Sequence, residues 1–334
     1  MQGIERGGTE LNQLEYFEKQ EISKANSLMN EILTEAKINV QESQSENTTK
    51  AYESDWRQFQ LWCINNDFDS LPSNEETIAL YLSYLAMEGY KTSTIHRKMS
   101  SIITAHRDKG YGSPVTQTIR RVMAGIRRRY GTEENGKKPI LIDDILSMLK
   151  HIPENVKGIR DKALLLIGFA GAFRRSELVS LDVTDVRIDP KGLIVKIKKS
   201  KTDQFGQGQS LGIPFGKNKD TCPVEAYRTW LEVSNIKEGP IFRPINRHGH
   251  IQPKRLSDKA VSLIVKEYAN AIGFEKSEYS GHSLRAGLAT TAAMAGKDER
   301  TIMQQTRHKS AEMVRKYIRM SDMFVDNAAD DIGL

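Results

Sequence analysis

Cysteine is scarce in this 334-residue chain: there are two, Cys63 and Cys222. Their separation matches neither a disulfide framework nor the paired spacing of a zinc site, so both are expected to be inert thiols in a reducing compartment. Long apolar runs are missing too. The longest, ALLLIGFAGAF at 163–173, is too short to cross a bilayer and suits a buried helix. The opening residues, MQGIERGGTELNQ, are polar, and no secretion signal is expected from them; a cytoplasmic protein is expected. No carboxylate cluster of the kind that holds Mg²⁺ is apparent, and no metal or other cofactor is expected. No strand pattern occurs before residue 190, and no repeat or low-complexity tract is found.

What is present is an ordinary globular composition, 38% hydrophobic and 28% charged. The length suggests two domains. Lys and Arg exceed Asp and Glu by 49 to 43, a net charge of +6 that permits a polyanionic partner without demanding one.

Residues 1–46 read as a partly helical, partly flexible extension. From there to 130 the periodicity is helical throughout. Asn47 is placed as the cap of a helix with Tyr52, Trp56, Phe59 and Cys63 inward. Ser73 and Glu76 are placed as a capping box for the next helix, closed by Gly89. A third carries Ile95, Met99, Ile102 and His106 on its inner stripe, and a fourth ends in Arg127, Arg128 and Arg129. The stretch GTEENGKKP (131–139) is charged, lacks apolar residues and ends in proline, as an interdomain linker does. Beyond it, residues 140–320 form a mostly helical unit interrupted by a hairpin, with Leu193, Val195 and Ile197 on one strand face and a turn through Gly206 and Gly208. The expected fold is mainly α with a small β-hairpin or sheet: an N-terminal helical bundle, then an α-rich mixed α+β domain.

Five short stretches carry groups suited to phosphate chemistry. GAFRRSEL holds Arg174, with Glu177 three residues on to brace it. KKSKTD puts Lys201 at the hairpin. GHSLRAG sets His282 and Arg285 three apart on one helix face. His308 follows, and nine residues later Tyr317, inside TRHKSAEMVRKYIR. Ser310 is a candidate N-cap for that last helix. Arg307, His308, Arg315, Lys316 and Arg319 place heavy positive charge around Tyr317. Each stretch alone fits a solvated helix or an ordinary turn.

Together, in this order and at these intervals, they resemble the tyrosine recombinase (phage integrase) family. Its marks are an Arg followed by S-E-L, a Lys in a β-hairpin, H-x-x-R, a His or Trp, and a Tyr about nine residues later. The helical first domain and the linker fit the two-domain plan of the family's simple members. The same catalytic set occurs in type IB topoisomerases.

A free tyrosine has a pKa of about 10, so its phenolate costs about 4 kcal/mol at neutral pH unless the site supplies positive charge. Arg174 and Arg285 suit the non-bridging oxygens as permanently charged forks. The resemblance assigns them that role. It likewise implies that Lys201 protonates the departing 5′-oxygen, and that His282 and His308 support proton transfer and bond the phosphate. Tyr317 then becomes a 3′-phosphotyrosine, which conserves the bond energy without metal or ATP. Many family members have Gly before the second histidine where this chain has Arg307, and Arg175 stands beside Arg174. Neither extra cation has an assigned role, though Arg175 could contact DNA backbone or solvent.

In the first domain, the resemblance directs Lys50 and Arg57 toward DNA. The polar face of the third helix offers Lys91, Thr94, His96 and Arg97 for groove and phosphate contacts. Arg120, Arg121 and Arg127 would follow the backbone. In the second domain, Lys259 occupies the place of a base-contacting Arg. The implied partners are double-stranded DNA with short inverted-repeat sites and the chain itself, a dimer per site and a tetramer on two. The tail (321–334) contains Met323, Phe324, Val325 and Ile332, and is expected to dock in trans on a neighbouring subunit. The expected activity is site-specific recombination by integration, excision, inversion or resolution. The alternatives are a topoisomerase-like nicking-closing enzyme and a catalytically silent DNA-binding regulator.

Overall fold

The computed structural model describes residues 28–36, 38–39, 46–132, 136–198, 208–308 and 310–321. Packing divides the chain after Glu134 into two compact units.

In the first unit, residues 28–36 form α1. It is followed by α2 (Glu46–Asn65), α3 (Glu75–Met87), α4 (Thr92–Asp108) and α5 (Gln117–Tyr130). The apolar stripes meet in one core, where Phe59, Cys63, Tyr81, Leu82, Ile95, Ile102 and Ile119 are at most 2% exposed. Burying each such side chain contributes about 1.5–3 kcal/mol, more than any surface pair nearby.

Two helix starts differ from expectation. Asn47 lies inside α2 rather than before it. Asn74, not Ser73, caps α3: its Oδ1 accepts the Thr77 N–H at 2.8 Å. Ser73 is diverted, because its N–H donates to Nε2 of buried His106 at 2.8 Å. His106 Nδ1 lies 2.8 Å from the Ile102 carbonyl, so the ring is the neutral Nδ1–H tautomer and ties α4 to the entry of α3. Lys98, also buried, pairs with Asp55 at 3.2 Å, a contact the helical stripe did not foretell.

The second unit contains α6 (Ile142–Leu149), α7 (Val156–Ala170), α8 (Arg175–Ser180), β1 (Val186–Asp189), β2 (Gly192–Ile197), β3 (Gln209–Pro214), α9 (Pro223–Ser234), α10 (Asp258–Ala271), α11 (His282–Met294), α12 (Glu299–Thr306) and α13 (Ala311–Ser321). The sheet is antiparallel in the order β1-β2-β3. Leu193 stands opposite Ile188 and Ile213, and Val195 opposite Val186 and Leu211. The expected hairpin is therefore β2 and β3 of a three-stranded sheet, with β3 at one edge, and its turn at Gly206 lies outside the described residues. β1 begins before residue 190, contrary to expectation; at four residues, none fully buried, it has too little alternation to be read. Leu193, Val195 and Ile197 turn inward onto the large core, which also holds Trp230, whose Nε1–H donates to the Ile241 carbonyl at 2.8 Å.

The end of the expected linker is bonded into this unit. Lys138 N–H donates to Glu278 O and Ile140 N–H to Ser283 O, each at 3.0 Å. Ile140 is buried against Gly287 of α11, where a Cβ would come 1.7 Å from the Ile140 carbonyl oxygen. Glycine there lets α11 sit backbone against backbone on the incoming chain. That fixes the helix carrying His282 and Arg285.

Candidate active site

The site is assembled around the end of one buried helix. α7 is buried over most of its length and runs through the core, with Leu164, Leu165 and Ile167 at most 3% exposed. It ends in a tight turn, Gly171–Ala172–Phe173, in which Ala172 takes φ 44°, a left-handed value that a residue with a Cβ rarely adopts. The chain then delivers Arg174 immediately before α8.

Arg174 and Glu177 meet twice. The Arg174 N–H donates to Glu177 Oε2 at 3.0 Å, and Nη1 donates to Oε1 at 2.5 Å. Arg307 takes Oε2 from the other side at 3.0 Å. Burial opposes ionisation of Glu177, but Arg307, and after it Arg174, outweigh that and hold its carboxyl below the usual range.

Arg285 is completely buried. Its Nη1 donates to the Ala172 carbonyl at 2.8 Å, while Nε and Nη2 have no partner. Burial first, then Arg174 and Arg307, lower its pKa to about 9, so it stays cationic at neutral pH. A buried guanidinium with two donors unpaired is costly unless an anion comes to meet it.

The two histidines stand in the same field. His308 Nδ1 lies 2.8 Å from Thr306 Oγ1, whose own hydroxyl donates to the Ile302 carbonyl at 2.6 Å. The threonine oxygen must therefore accept, which puts the proton on His308 Nδ1 and leaves Nε2 as an acceptor. Burial, then Arg285 and Arg174, push His308 down to about 4. His282 is lowered by the same causes. The Tyr317 ring packs against His308, centroids 6.0 Å apart and planes at 29°. Burial raises the Tyr317 pKa and Arg285 partly offsets it, so the phenol is protonated in the free protein.

A pH dependence follows. His308 titrates near 6.5 when unfolded and near 4 when folded, so the unfolded chain takes up the proton first. Stability is then full above about pH 6.5 and falls as the pH drops toward about 4. Thermal melts across that window should show the slope, and His308→Gln should reduce it, leaving the share of His282. An unchanged slope in the variant would mean that other groups carry it.

Of the six residues expected to act together, Arg174, His282, Arg285, His308 and Tyr317 are in one electrostatic cluster. Lys201 lies outside the described residues, as does the tail from 322 on. The cations flanking Tyr317 in sequence do not all surround it. Arg315 pairs with Glu299 at 2.8 Å, and Arg307 is drawn under the Gly171–Phe173 turn. Among the described residues, the guanidinium whose charge lowers the Tyr317 pKa is that of Arg285, from α11. Arg175 is anchored, with Nε 3.1 Å from Asp258 and Nη1 3.3 Å from Ser262 Oγ. Among the described residues no group of three or more His, Cys, Asp or Glu side chains could hold a metal ion.

In the first unit, Lys91, His96 and Arg127 line one cleft of about 510 Å³ together with Thr92, Ser93 and Tyr130. Arg97 is turned to Asp55, 3.1 Å away, and Thr94 is half-buried. Lys50, Arg57, Arg120 and Arg121 are exposed, and so is Lys259 in the first turn of α10.

A helical unit followed by a helical unit with a small sheet, whose centre holds buried arginines beside a tyrosine, defines a class of DNA strand-transfer protein. Residues 139–323 match the model of the phage integrase family, and residues 35–107 that of the phage integrase N-terminal SAM-like domain. The chain belongs to the phage integrase family and is a tyrosine recombinase, an enzyme of site-specific DNA recombination. It is 42% identical over 298 residues to an integrase/recombinase XerD homolog of Selenomonas ruminantium, covering 88% of this chain and 87% of the relative. It is 26% identical over 299 residues to the Cre recombinase of Escherichia phage P1, covering 83% and 85%. In fold it is similar to the Tn1549 transposon integrase solved with circular intermediate DNA, with a TM-score of 0.58 at 15% identity, covering 84% and 92%. It is also similar to a lambda integrase dimer bound to a core site, with a TM-score of 0.57 at 18% identity, covering 84% and 92%.

Proposed function

We propose that this chain cuts and rejoins duplex DNA through a 3′-phosphotyrosine at Tyr317. The observation that carries the reading is Arg285, fully buried with Nε and Nη2 unpaired beside Arg174 and Tyr317. Two buried cationic donors without a protein partner call for an anion, and a scissile phosphodiester is one. Arg285 and Arg174 hold the non-bridging oxygens. Tyr317 Oη attacks phosphorus and its proton passes to a neutral acceptor, for which His308 Nε2 is the available group. The bond from phosphorus to the 5′-oxygen breaks, and Lys201, on the connection from β2 to β3, gives that oxygen its proton. A 5′-hydroxyl of another strand reverses these steps and reseals the DNA.

DNA binding is assigned to both units, with the basic cleft of Lys91, His96 and Arg127 contacting phosphates in the first. Residues 47–130 act as the core-DNA-binding unit, 140–320 as the catalytic unit, and the tail as a connector to a second copy. A dimer on each short inverted-repeat site and a tetramer on two sites belong to the same reading. The described residues include no helix long and apolar enough to cross a membrane.

The test is covalent trapping on nicked duplexes bearing candidate sites. Wild type should give a denaturation-resistant protein–DNA adduct, and Tyr317→Phe should bind the same DNA and give none. Tight binding by wild type on a verified target with no adduct would overturn the reading.

A further inference from the structure

Arg307 occupies a position that its own backbone disfavours. It ends α12 at φ 56° and ψ 40°, the left-handed region in which glycine is the default. Its side chain is nevertheless buried, only 5% exposed. A charged residue is kept there because of what the guanidinium reaches.

Nη1 donates to the Gly171 and Gln305 carbonyls, both at 2.9 Å. Nη2 donates to the Ala172 carbonyl at 2.9 Å and to Glu177 Oε2 at 3.0 Å. The group also lies over the Phe173 ring, 5.2 Å from its centroid. Four N–H bonds on the two terminal nitrogens are thus matched by four acceptors, and only Nε is unpartnered. Arg307 therefore has no terminal donor to spare for a phosphate, unlike Arg285.

Apart from the Gln305 carbonyl of its own helix, every polar group it grips belongs to the device that presents the other two arginines. Gly171 and Ala172 form the strained turn that leads into Arg174. The Ala172 carbonyl is shared with Arg285 Nη1, and Glu177 is shared with Arg174, one guanidinium on each carboxylate oxygen. We propose that Arg307 is a positioning residue: it locks the Gly171–Ala172 turn and the second oxygen of Glu177, so that Arg174 and Arg285 are held apart and aimed before DNA arrives. It also leaves the set of three guanidiniums and one carboxylate, of which only Arg174 is partly exposed, two charges positive. That excess matches an attacked phosphodiester better than the single charge that would remain without Arg307. This inference rests on the reading of Tyr317 as nucleophile and of Arg174 and Arg285 as its phosphate ligands.

The experiment is single-turnover adduct formation on the nicked duplex, with binding measured separately. Arg307→Gly removes the guanidinium while suiting the backbone. It should bind DNA as wild type does and form adduct about 10–100-fold more slowly. Arg307→Lys should be nearly as slow, because a point charge cannot serve four acceptors in a plane. Millimolar guanidinium ion should speed Arg307→Gly and leave wild type unchanged. In a Glu177→Gln background, Arg307→Gly should add little, since the two act as one unit.

A wild-type rate in Arg307→Gly overturns the inference. So does a defect that guanidinium ion does not relieve and that is fully additive with Glu177→Gln, which would make Arg307 an ordinary structural residue. If Arg307→Gly is unfolded at the assay temperature, Arg307→Lys decides by the same additivity criterion. Absence of any wild-type adduct is a separate outcome, which overturns the nucleophile assignment beneath it.

Discussion

Arg285→Met is expected to stabilise the free protein while slowing covalent attack on DNA by about 10²–10³-fold. The two effects have one cause. The Arg285 side chain is fully buried, makes one hydrogen bond, and keeps two donors unpaired among other guanidiniums. Desolvating that charge costs more than its single bond returns until a phosphate enters. Methionine fills a similar volume without the charge. Replacing a buried ionic group by a packed apolar one is commonly neutral or stabilising by about 1–4 kcal/mol. Calorimetry on the DNA-free protein and single-turnover trapping read the two halves separately. A variant that is both less stable and nearly fully active would show that Arg285 is a strut of the fold and not an anion receptor.

Glu177→Ala should do the reverse to stability. Glu177 is the carboxylate between Arg174 and Arg307, and its removal leaves both without that counter-ion in a buried site that already holds Arg285. Breaking a buried pair from one side typically costs about 3–5 kcal/mol. The melting temperature should fall well below that of wild type and recover partly when duplex DNA is added, because phosphate restores the missing negative charge. Adduct formation should fall as well, since Arg174 loses the bracket that orients it. A melting temperature within a degree or so of wild type would mean that the arginines are neutralised in some other way.

The contrast between these variants also separates what sequence reveals from what it hides. Arg174, His282, Arg285, His308 and Tyr317 could be picked out because the chemistry restricts residue type and the family plan restricts order. Helices α2 to α5 could be picked out because their apolar period is strong and their stripes meet in one core. What escaped depends on distant partners. Ser73 looks like a helix cap until His106, thirty-three residues away, takes its N–H. Arg315 looks like part of the charge around Tyr317 until Glu299 on the preceding helix claims it.

Arg307 escaped for a different reason. Its signature was an extra arginine beside His308, and nothing in the sequence shows that it ends a helix in the left-handed region. Compensation for that backbone comes from carbonyls at Gly171 and Ala172, which carry no side-chain signal. β1 was missed because four half-exposed residues give no period to detect.

The most direct test of the mechanism is to identify the bond itself. Wild type would be trapped on a nicked duplex, the adduct digested with protease and nuclease, and the surviving peptide–nucleotide sequenced by mass spectrometry. The expected product is the α13 peptide bearing a nucleotide joined through its 3′-phosphate to Tyr317. Attachment to any other residue, or through a 5′-phosphate, would contradict it.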